Sequence, residues 1–465
     1  MLRQSLRYMI MPSYQLLLHP LPYHADPAVW FERLRHRHEA ILLDNGRPYT
    51  QTGRFDIMSC DPDAVLEIDA LGQCHCTTAL SATTPQAAQR ELLSHLGTVA
   101  PETDEDIPFI GGLMGYWSYD FGRLIERLES RAAADIDLPL ARLGLYDWAL
   151  IQDHQQQLSY LVATAERRDQ VLTWLETSLG QQEAPFALTS PFTADIDRAT
   201  YGERFQRVSD YLHAGDCYQV NLAQRFQARC QGASWEAYGR LRHATPAPFG
   251  AFLSWQGKDG RERSILSLSP ERFLHLAHRQ LITSPIKGTR PRGQTTEEDQ
   301  RLADELLGSL KDRTENVMIV DLLRNDLGRV CRAGTVRVPA LAALESYRNV
   351  HHLVSTITGE LAPSLDAIDA LTAAFPGGSI TGAPRIRAMD IIDELEGTRR
   401  GPYCGSIGYI DQRGDMHTSI TIRTLYREDD ALYVWGGGGL VADSDEESEF
   451  IETLDKIRHL MRALT

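Results

Sequence analysis

Membrane-length apolar runs, dense basic patches and paired cysteine motifs are all missing from this 465-residue sequence. Without an apolar run of about 20 residues, no segment is expected to span a membrane. Lysine and arginine number 47 against 63 aspartates and glutamates, and the net charge of −16 argues against nucleic-acid binding. The seven cysteines are scattered, and the close-set Cys74-His75-Cys76 alone is a weak zinc signal. We therefore expect reduced cysteines and a cytoplasmic protein.

No fixed-period repeat or low-complexity segment interrupts the sequence, and its composition is that of an ordinary globular protein. Its 465 residues can form two or three domains or one large two-lobed unit. Residues 180–198 are polar, contain two prolines and lack periodicity, which is typical of a linker. We therefore predict an amino-terminal region over residues 1–185 and a second domain over residues 195–465. The amino terminus shows no signal-peptide core, and Met1 and Met11 are equally good candidate starts.

Short strands and amphipathic helices follow one another along the chain and predict an α/β (α+β) fold. Residues 199–213 place apolar side chains on one stripe, which predicts a helix, and residues 385–395 predict another. Residues 405–410, 416–426 and 431–435 are three strand-like runs separated by polar turns. Their close spacing predicts an antiparallel meander.

One lysine stands in a turn that suits a reactive group. Residues 284–293 follow a strand-like run, and within them Lys287 comes directly before Gly288. A lysine acts as a nucleophile when burial or nearby cations lower its pKa, because only the neutral amine attacks. Arg290 and Arg292 are the nearby cations in the sequence. A solvated surface lysine in a basic turn is the alternative interpretation.

Three glutamates on two predicted helices are candidates for a metal site. Glu315 lies in a predicted helix over residues 313–323 and precedes an apolar stretch. Glu449 and Glu452 are three residues apart on a predicted carboxyl-terminal helix and therefore share a face. Carboxylates from two helices form the kind of oxygen site that Mg²⁺ prefers. A solvated acidic helix face is the alternative.

Two glycine-rich segments are candidates for anion binding through backbone N–H groups. They cover residues 375–384 and 435–440, and plain structural turns are the alternative for both. Neither is a Walker loop, because no Gly-Lys-Ser/Thr follows. Arg423 stands inside an alternating strand pattern, where an arginine needs a buried partner. A substrate carboxylate would serve as that partner.

Nine segments, taken together and in order, resemble the chorismate-utilising enzyme family. They are GDCYQVNLAQRF (215–226), LSPERF (268–273), PIKGT (285–289), ENVMIVDLLRNDLGRV (315–330), VHHLVSTITG (350–359), FPGGSITGAPR (375–385), YCGSIGY (403–409), TSITIRT (418–424) and GGGGLVADSDEESEFIETLDK (436–456). The resemblance implies a large two-lobed chorismate-binding fold, with antiparallel sheets packed face to face and helices outside. It makes residues 195–465 the chorismate-binding domain and residues 1–185 an anthranilate-synthase-like region.

The resemblance also assigns roles to particular residues. The implied set comprises the catalytic residues Lys287, Glu271 and His352, the substrate-binding residues Tyr403, Arg423, Gly437, Gly438 and Ser379, and the Mg²⁺ ligands Glu315, Glu452 and Glu449. In this scheme Lys287 attacks C2 of chorismate, and Glu271 protonates the leaving hydroxyl on C4. The metal binds the ring carboxylate and draws electron density toward it.

Lysine at position 287 distinguishes between branches of the family. The anthranilate-forming relatives have alanine in the corresponding motif. A lysine attached to C2 directs ammonia to C4 and yields 4-amino-4-deoxychorismate, the precursor of 4-aminobenzoate and folate. The alternatives are an anthranilate-forming or isochorismate-forming enzyme and, in a different class, a catalytically silent homologue that binds a ligand.

The ammonia is expected to come from another subunit. None of the seven cysteines stands in a Gly-x-Cys-x-Gly elbow, so the chain does not resemble a glutaminase. The family pairs such a chain with a separate glutamine amidotransferase, and we expect that partner here. Residues 42–45 read Leu-Leu-Asp-Asn where tryptophan-regulated relatives have Leu-Leu-Glu-Ser. Tryptophan inhibition is therefore not expected, and tryptophan binding stays open.

Overall fold

Two large sheets form the centre of the computed structural model, which describes residues 14–465 apart from 52, 101–102, 104, 127, 178–182 and 348–349. Met1 and Met11, together with part of the predicted linker, lie outside these residues. Within the described residues one sheet has 13 strands and the other has 11, all paired antiparallel. Tyr14–Gln15 and Thr98–Val99 form a separate parallel pair.

The 13-stranded sheet contains strands from both halves of the chain. In spatial order its main path runs Ala187–Leu188, Gln219–Gln231, Ala431–Leu440, Thr424–Glu428, Glu262–Ser269, Phe249–Gln256, Ala40–Asp44, Phe55–Ser59, Ala149–Asp153, Leu158–Ala163 and Leu17–Leu21. Two short strands, Thr193–Ala194 and Gly382–Ala383, also pair with Gln219–Gln231.

The 11-stranded sheet also contains strands from both halves of the chain. Its main path runs Ile286–Pro291, Val350–Glu360, Gln280–Thr283, Arg272–Ala277, Met416–Ile420, Ser406–Asp411, Gly112–Trp117, Ala141–Tyr146, Ala64–Ile68 and Cys74–Cys76. The strand Arg337–Ser346 pairs with Val350–Glu360 outside this path.

Helices connect the strands of both sheets. The α-helices in the described residues are Ala28–Phe31, Pro85–Leu93, Gly122–Ile125, Ala165–Thr177, Arg198–Ala214, Ser234–Ala244, Thr296–Gly308, Leu310–Gly328, Ala367–Ala374, Arg385–Leu395 and Glu446–Leu464. Single 3₁₀ turns cover Tyr119–Phe121 and Gly378–Ile380. Two of these α-helices correspond to the helices predicted over residues 199–213 and 385–395, which confirms those predictions.

The inner faces of the two sheets pack against each other. The rings of Tyr116 in one sheet and Trp255 in the other are 5.7 Å apart between centroids. The rings of Phe249, from the 13-stranded sheet, and His417, from the 11-stranded sheet, are 5.6 Å apart between centroids. Because successive side chains of a strand point to opposite faces, one apolar row from each sheet builds this shared core. The predicted arrangement of face-to-face antiparallel sheets with helices outside is confirmed.

Helices cover the outer faces of the sheets. Tyr238 and Leu460, from the helices Ser234–Ala244 and Glu446–Leu464, pack with Leu150 of the 13-stranded sheet in a second apolar cluster. The helix Leu310–Gly328 lies against Val350–Glu360 of the other sheet. The helices Leu310–Gly328 and Glu446–Leu464, which carry the predicted metal ligands, are therefore each held by a different sheet.

One predicted strand is wrong in an informative way. Residues 416–426 form two strands, Met416–Ile420 in the 11-stranded sheet and Thr424–Glu428 in the 13-stranded sheet. Between them Arg423 has φ of 51°, in the left-handed region, and the chain passes from one sheet to the other. The alternating pattern continues through this break, so the sequence suggested one strand of a meander.

The glycine-rich segment 435–440 is also different from the prediction. It is not a loop but the end of the strand Ala431–Leu440, paired with Gln219–Gln231. A Cβ atom on Gly436 would overlap the carbonyl oxygen of Thr453 in the neighbouring helix. The glycines therefore allow a helix to approach the strand backbone closely.

Each of the two sheets contains strands from before residues 180–198 and strands from after them. The division into residues 1–185 and 195–465 stays a prediction. None of the helices in the described residues combines the length and the apolarity that crossing a membrane requires.

Candidate active site

A cleft of about 860 Å³ lies where the strands Ile286–Pro291 and Ala431–Leu440 meet the helices Leu310–Gly328 and Glu446–Leu464. Ten predicted site residues line it, namely Glu271, Lys287, Glu315, His352, Ser379, Tyr403, Arg423, Gly437, Glu449 and Glu452. Gly438 lies in the same strand, and a Cβ atom there would be 3.0 Å from Oε2 of Glu449. Two other cavities, of about 930 and 790 Å³, contain none of these residues. The cleft is therefore the candidate active site.

Lys287 is half-buried at the base of the cleft, in the strand that pairs with Val350–Glu360. Its Nζ atom lies 3.5 Å from the carbonyl oxygen of Ser379. Burial lowers the pKa of the Lys287 ammonium below its ordinary value, although the nearby carboxylate of Glu315 acts in the opposite direction. A lowered pKa favours the neutral amine, which is the nucleophilic form.

The cation that assists this shift is Lys456, and not the arginines suggested by the sequence. Arg290 and Arg292 instead pair with carboxylates of the helix Thr296–Gly308, at 2.9 and 2.6 Å. Lys456 is the positive group that lowers the pKa of Lys287, after burial itself. The prediction that Arg290 and Arg292 supply the positive charge near Lys287 is therefore wrong, because carboxylates of a neighbouring helix bind both arginines.

Gly288 gives the lysine strand its local shape. It has φ of 81°, and the pairing register shifts between Lys287 and Thr289, so the strand bulges at this position. A Cβ atom here would lie 2.9 Å from Cδ1 of Leu306 and 3.0 Å from Cβ of Asp312. Both the backbone angle and the packing therefore require glycine.

Glu271 lies beside the lysine and has the environment of a proton donor. Its side chain is 5% exposed, and Ser379 donates a 2.8 Å hydrogen bond from Oγ to Oε1. Burial raises the pKa of the Glu271 carboxyl above its ordinary value, while Ser379 and then Lys287 partly oppose the rise. A raised pKa favours the protonated carboxylic acid, which is the form in which a general acid donates its proton.

The three predicted metal ligands face the cleft together with two lysines. Nζ of Lys311 is 3.5 Å from Oε1 of Glu449 and 4.0 Å from Oε1 of Glu315. Nζ of Lys456 is 2.7 Å from Oε1 of Glu452. Burial raises the pKa of both Glu315 and Glu449. For Glu452 burial acts in the same direction, but Lys456 outweighs it and the pKa is lowered.

The chemistry of these donors fits a hard divalent cation. Among the residues that the structure describes, no group of three or more His, Cys, Asp and Glu side chains stands close enough to hold a metal. The trio of Glu315, Glu449 and Glu452 nevertheless presents carboxylates from two helices to one cleft, and Lys311 holds a positive charge between two of them. Oxygen donors around a cation are what Mg²⁺ needs.

Arg423 is half-buried in the cleft without a counter-charge. Within the described part of the chain its guanidinium takes part in no ion pair or hydrogen bond with protein, and burial lowers its pKa. The same positive charge helps to lower the pKa of His352. A desolvated guanidinium with free donors is suited to a ligand carboxylate.

Tyr403 and Trp435 form one wall of the cleft. Their rings are stacked, 6.1 Å apart between centroids and 4° from parallel. Tyr403 is 4% exposed, and its hydroxyl lies 2.7 Å from the position that a Cβ atom on Gly437 would take. The glycine therefore leaves the phenol against bare strand backbone, where the carbonyl oxygen of Gly437 accepts a 2.9 Å hydrogen bond from Nζ of Lys456.

His352 is a neutral member of the site. Its Nδ1 is 2.8 Å from Oγ1 of Thr289, and it forms a hydrogen bond with the backbone of Gly288. Burial, followed by the charge of Arg423, lowers the pKa of His352 to about 4. The imidazole is therefore uncharged near neutral pH and suited to hydrogen bonding in either direction.

The sequence interpretation missed Lys311, Lys456 and Asn221, which also line the cleft. A signal for the first two was available in the composition. Only four of the 47 basic residues are lysines, and three of those four, Lys287, Lys311 and Lys456, lie in this one cleft. No such signal marked Asn221.

Comparison with known proteins places the chain in a family. Residues 26–462 match the family described as chorismate binding enzyme, and the chain belongs to it. It is 48% identical to aminodeoxychorismate synthase component 1 of Salmonella typhimurium over 96% of this chain and 97% of that protein. The Escherichia coli protein of the same name is 46% identical over 94% and 95%. Anthranilate synthase component 1 of Thermus thermophilus is 41% identical, over 77% and 78%.

Solved structures agree with the fold. Anthranilate synthase component I from Streptococcus pneumoniae superposes with a TM-score of 0.77 at 29% identity, covering 88% of this chain and 92% of that one. The menaquinone-specific isochorismate synthase MenF from Escherichia coli gives 0.74 at 18% identity, covering 98% and 95%, and supports the fold alone.

Proposed function

We propose that this enzyme converts chorismate and ammonia to 4-amino-4-deoxychorismate, the precursor of 4-aminobenzoate and folate. The observation that carries the proposal is the half-buried Lys287, with a lowered pKa, beside the buried acid Glu271. The relatives at 48% and 46% identity, named aminodeoxychorismate synthase component 1, support the same choice.

Lys287 provides the nucleophile. Its neutral amine attacks C2 of chorismate, the ring double bonds shift, and the bond from C4 to its hydroxyl breaks. Ammonia then adds at C4, the double bonds shift back, and the lysine leaves C2. The lysine blocks C2 while it is attached, which explains why the nitrogen enters at C4.

Glu271 supplies the proton for the leaving oxygen. Its raised pKa makes the carboxylic acid available, and the hydrogen bond from Ser379 fixes the orientation of the carboxyl group. Protonation allows the C4 oxygen to leave as water. His352, held by Thr289, is uncharged and lines the pocket beside the reacting ring.

Substrate binding is assigned to two regions. Arg423, Tyr403 and the backbone of Gly437 and Gly438 bind the carboxylate that is not on the ring. Glu315 and Glu452, with Glu449 adjacent, would hold Mg²⁺ on the side of the cleft that takes the ring carboxylate. When bound, the metal withdraws electron density from the ring through that carboxylate.

The ammonia comes from a separate glutamine amidotransferase subunit. The component 1 names of the closely similar relatives support a partner. We place the protein in the cytoplasm, in keeping with free cysteines throughout the described residues. This assignment predicts that glutamine supports the reaction only when the partner is present, whereas ammonium supports it with this chain alone.

One experiment tests the proposal against its alternatives. The purified chain is incubated with chorismate, Mg²⁺ and ammonium, with and without a lyase that converts 4-amino-4-deoxychorismate to 4-aminobenzoate. We expect 4-aminobenzoate only in the presence of the lyase. Anthranilate fluorescence without the lyase, or isochorismate formation, would overturn the choice in favour of the corresponding relatives. Binding of chorismate without any product would indicate a silent homologue.

A further inference from the structure

The ammonium group of Lys311 has an unusual position. Lys311 is the second residue of the helix Leu310–Gly328, where the helix dipole disfavours a positive charge. Its side chain is 57% exposed, yet its Nζ atom lies between the carboxylates of Glu315 and Glu449. The carboxylates of Glu315, one turn along the same helix, and of Glu449, on the second helix, explain why the lysine points here against the helix dipole.

Lys456 provides a contrast within the same cleft. Its Nζ makes short contacts, 2.7 Å to Glu452 and 2.9 Å to the carbonyl oxygen of Gly437. The contacts of Lys311 are 3.5 and 4.0 Å, longer than a charge-assisted hydrogen bond. Lys456 is thus anchored by hydrogen bonds, whereas Lys311 acts as a loosely held counter-ion.

We propose that Lys311 is the counter-ion of the carboxylate trio in the absence of a divalent cation, and that Mg²⁺ displaces its ammonium toward solvent. This inference rests on the proposed magnesium site. With Lys287 in its neutral form, the ionised trio of Glu315, Glu449 and Glu452 carries three negative charges, of which Lys311 and Lys456 offset two. Exchange of the Lys311 ammonium for a divalent cation offsets all three without moving the anchored Lys456.

The exchange has a cost for metal binding. A cation must first break the interactions of Lys311 with Glu315 and Glu449, so the lysine weakens the intrinsic affinity of the site for Mg²⁺. It also keeps the two helices together when no metal is present, because unscreened carboxylates would repel each other. Lys311 is therefore a positioning residue for the metal ligands.

The first test is Mg²⁺ binding to the full chain, measured by titration calorimetry without substrate. Lys311→Met should bind Mg²⁺ about tenfold more tightly than the unaltered chain, because the competing charge is gone. Lys311→Arg keeps the charge and should bind as the unaltered chain does. Arg324→Gln is the matched control, since it removes a cation from the same helix that pairs with Asp321 outside the cleft.

A second test uses the unaltered chain and does not depend on a variant folding. Labelling with an amine-reactive reagent, followed by mass spectrometry, reports how free each lysine is. Mg²⁺ should speed the labelling of Lys311 several-fold and leave Lys258 unchanged. Lys258 is 77% exposed and pairs with Glu67 outside this cleft, so it serves as the internal control.

The outcomes separate this inference from the function. Unchanged or weaker Mg²⁺ binding by Lys311→Met, or unchanged labelling of Lys311, would overturn the counter-ion role while leaving the proposed reaction intact. Absence of any Mg²⁺ binding to the unaltered chain would overturn both the metal site and the inference. Formation of 4-amino-4-deoxychorismate, measured separately, decides the function itself.

Discussion

The hydroxyl of Ser379 donates a 2.8 Å hydrogen bond to Oε1 of Glu271, the buried acid of the cleft. This bond lowers the pKa of Glu271 against the larger, opposite effect of burial. The Ser379→Ala change should therefore raise that pKa further, by about one unit. The acid form is present below its pKa, so the alkaline limb of the pH profile of kcat/KM should move to higher pH.

Ser448→Ala is the control for this shift. Ser448 also lines the cleft, but its hydroxyl bonds to Asp445. Its pH profile should match that of the unaltered enzyme. An alkaline limb that stays in place or moves to lower pH in Ser379→Ala would contradict the role of Glu271 as proton donor.

Replacement of Lys287 tests the covalent step. Lys287→Ala removes the nucleophile and should reduce formation of 4-amino-4-deoxychorismate by at least about 100-fold. With C2 no longer blocked, some ammonia should be diverted there, which anthranilate fluorescence would detect. Lys258→Ala, at an exposed lysine outside the cleft, should retain full activity. Full activity of Lys287→Ala would refute the mechanism.

Gly288 should tolerate no side chain. Gly288→Ala places a Cβ atom at φ of 81° and 2.9 Å from Cδ1 of Leu306, so we expect about 1–3 kcal/mol of destabilisation. Thermal or urea unfolding measures the loss. The matched change is Gly308→Ala, at the end of a helix with open space around it, which should stabilise slightly. Equal stability of the two variants would contradict the strain at Gly288.

Arg423 should contribute to substrate binding without contributing to stability. Its half-buried guanidinium has no protein partner in the described residues, so Arg423→Gln breaks no ion pair. We expect KM for chorismate to rise by about 10- to 100-fold, from the loss of a charged hydrogen bond, at unchanged Tm. Arg332→Gln, which breaks an exposed pair with Glu360, should change neither KM nor activity. A marked fall in Tm of Arg423→Gln would indicate a structural role instead.

Glu452 and the neighbouring carboxylates should be responsible for Mg²⁺ binding. Glu452→Gln removes one proposed ligand charge and should weaken Mg²⁺ binding by about 10- to 100-fold, measured by calorimetry or by the Mg²⁺ dependence of the rate. The control is Glu447→Gln. Glu447 lies on the same helix and its carboxylate pairs with Arg198, so this replacement should leave Mg²⁺ binding unchanged. Chelation of divalent cations should stop the reaction of the unaltered enzyme. Equal Mg²⁺ affinity of both variants would reject the site.

Several features of this protein could be predicted from the sequence because they depend on local pattern or on a resemblance. The periodicity of residues 199–213 predicted a helix that the structure contains as Arg198–Ala214. The family motifs predicted the face-to-face sheets. They also named ten residues that one cleft brings together across more than 180 positions of sequence, from Glu271 to Glu452.

Tertiary contacts decided what local pattern could not. Residues 416–426 alternate as one strand would, and the break at Arg423 exists because its two parts belong to different sheets. The glycines of Ala431–Leu440 resemble a loop in isolation, but they form a strand because they pair with Gln219–Gln231, and their lack of side chains lets a helix and Tyr403 pack closely against them. The cation near Lys287 is Lys456 rather than a sequence neighbour, since the arginines find carboxylates on the helix Thr296–Gly308.

The chemical groups of the site were therefore determined by the sequence, because a nucleophile, an acid and oxygen ligands are properties of residue types. The folded chain alone decided which charged side chains pair with each other. Lys311 shows the difference most clearly: Glu315, four residues further along the same helix, lies 4.0 Å from its Nζ atom, and only the approach of a second helix carrying Glu449 brings a carboxylate within 3.5 Å. Electrostatic pairing depends on distance through space, and distance along the chain does not report it.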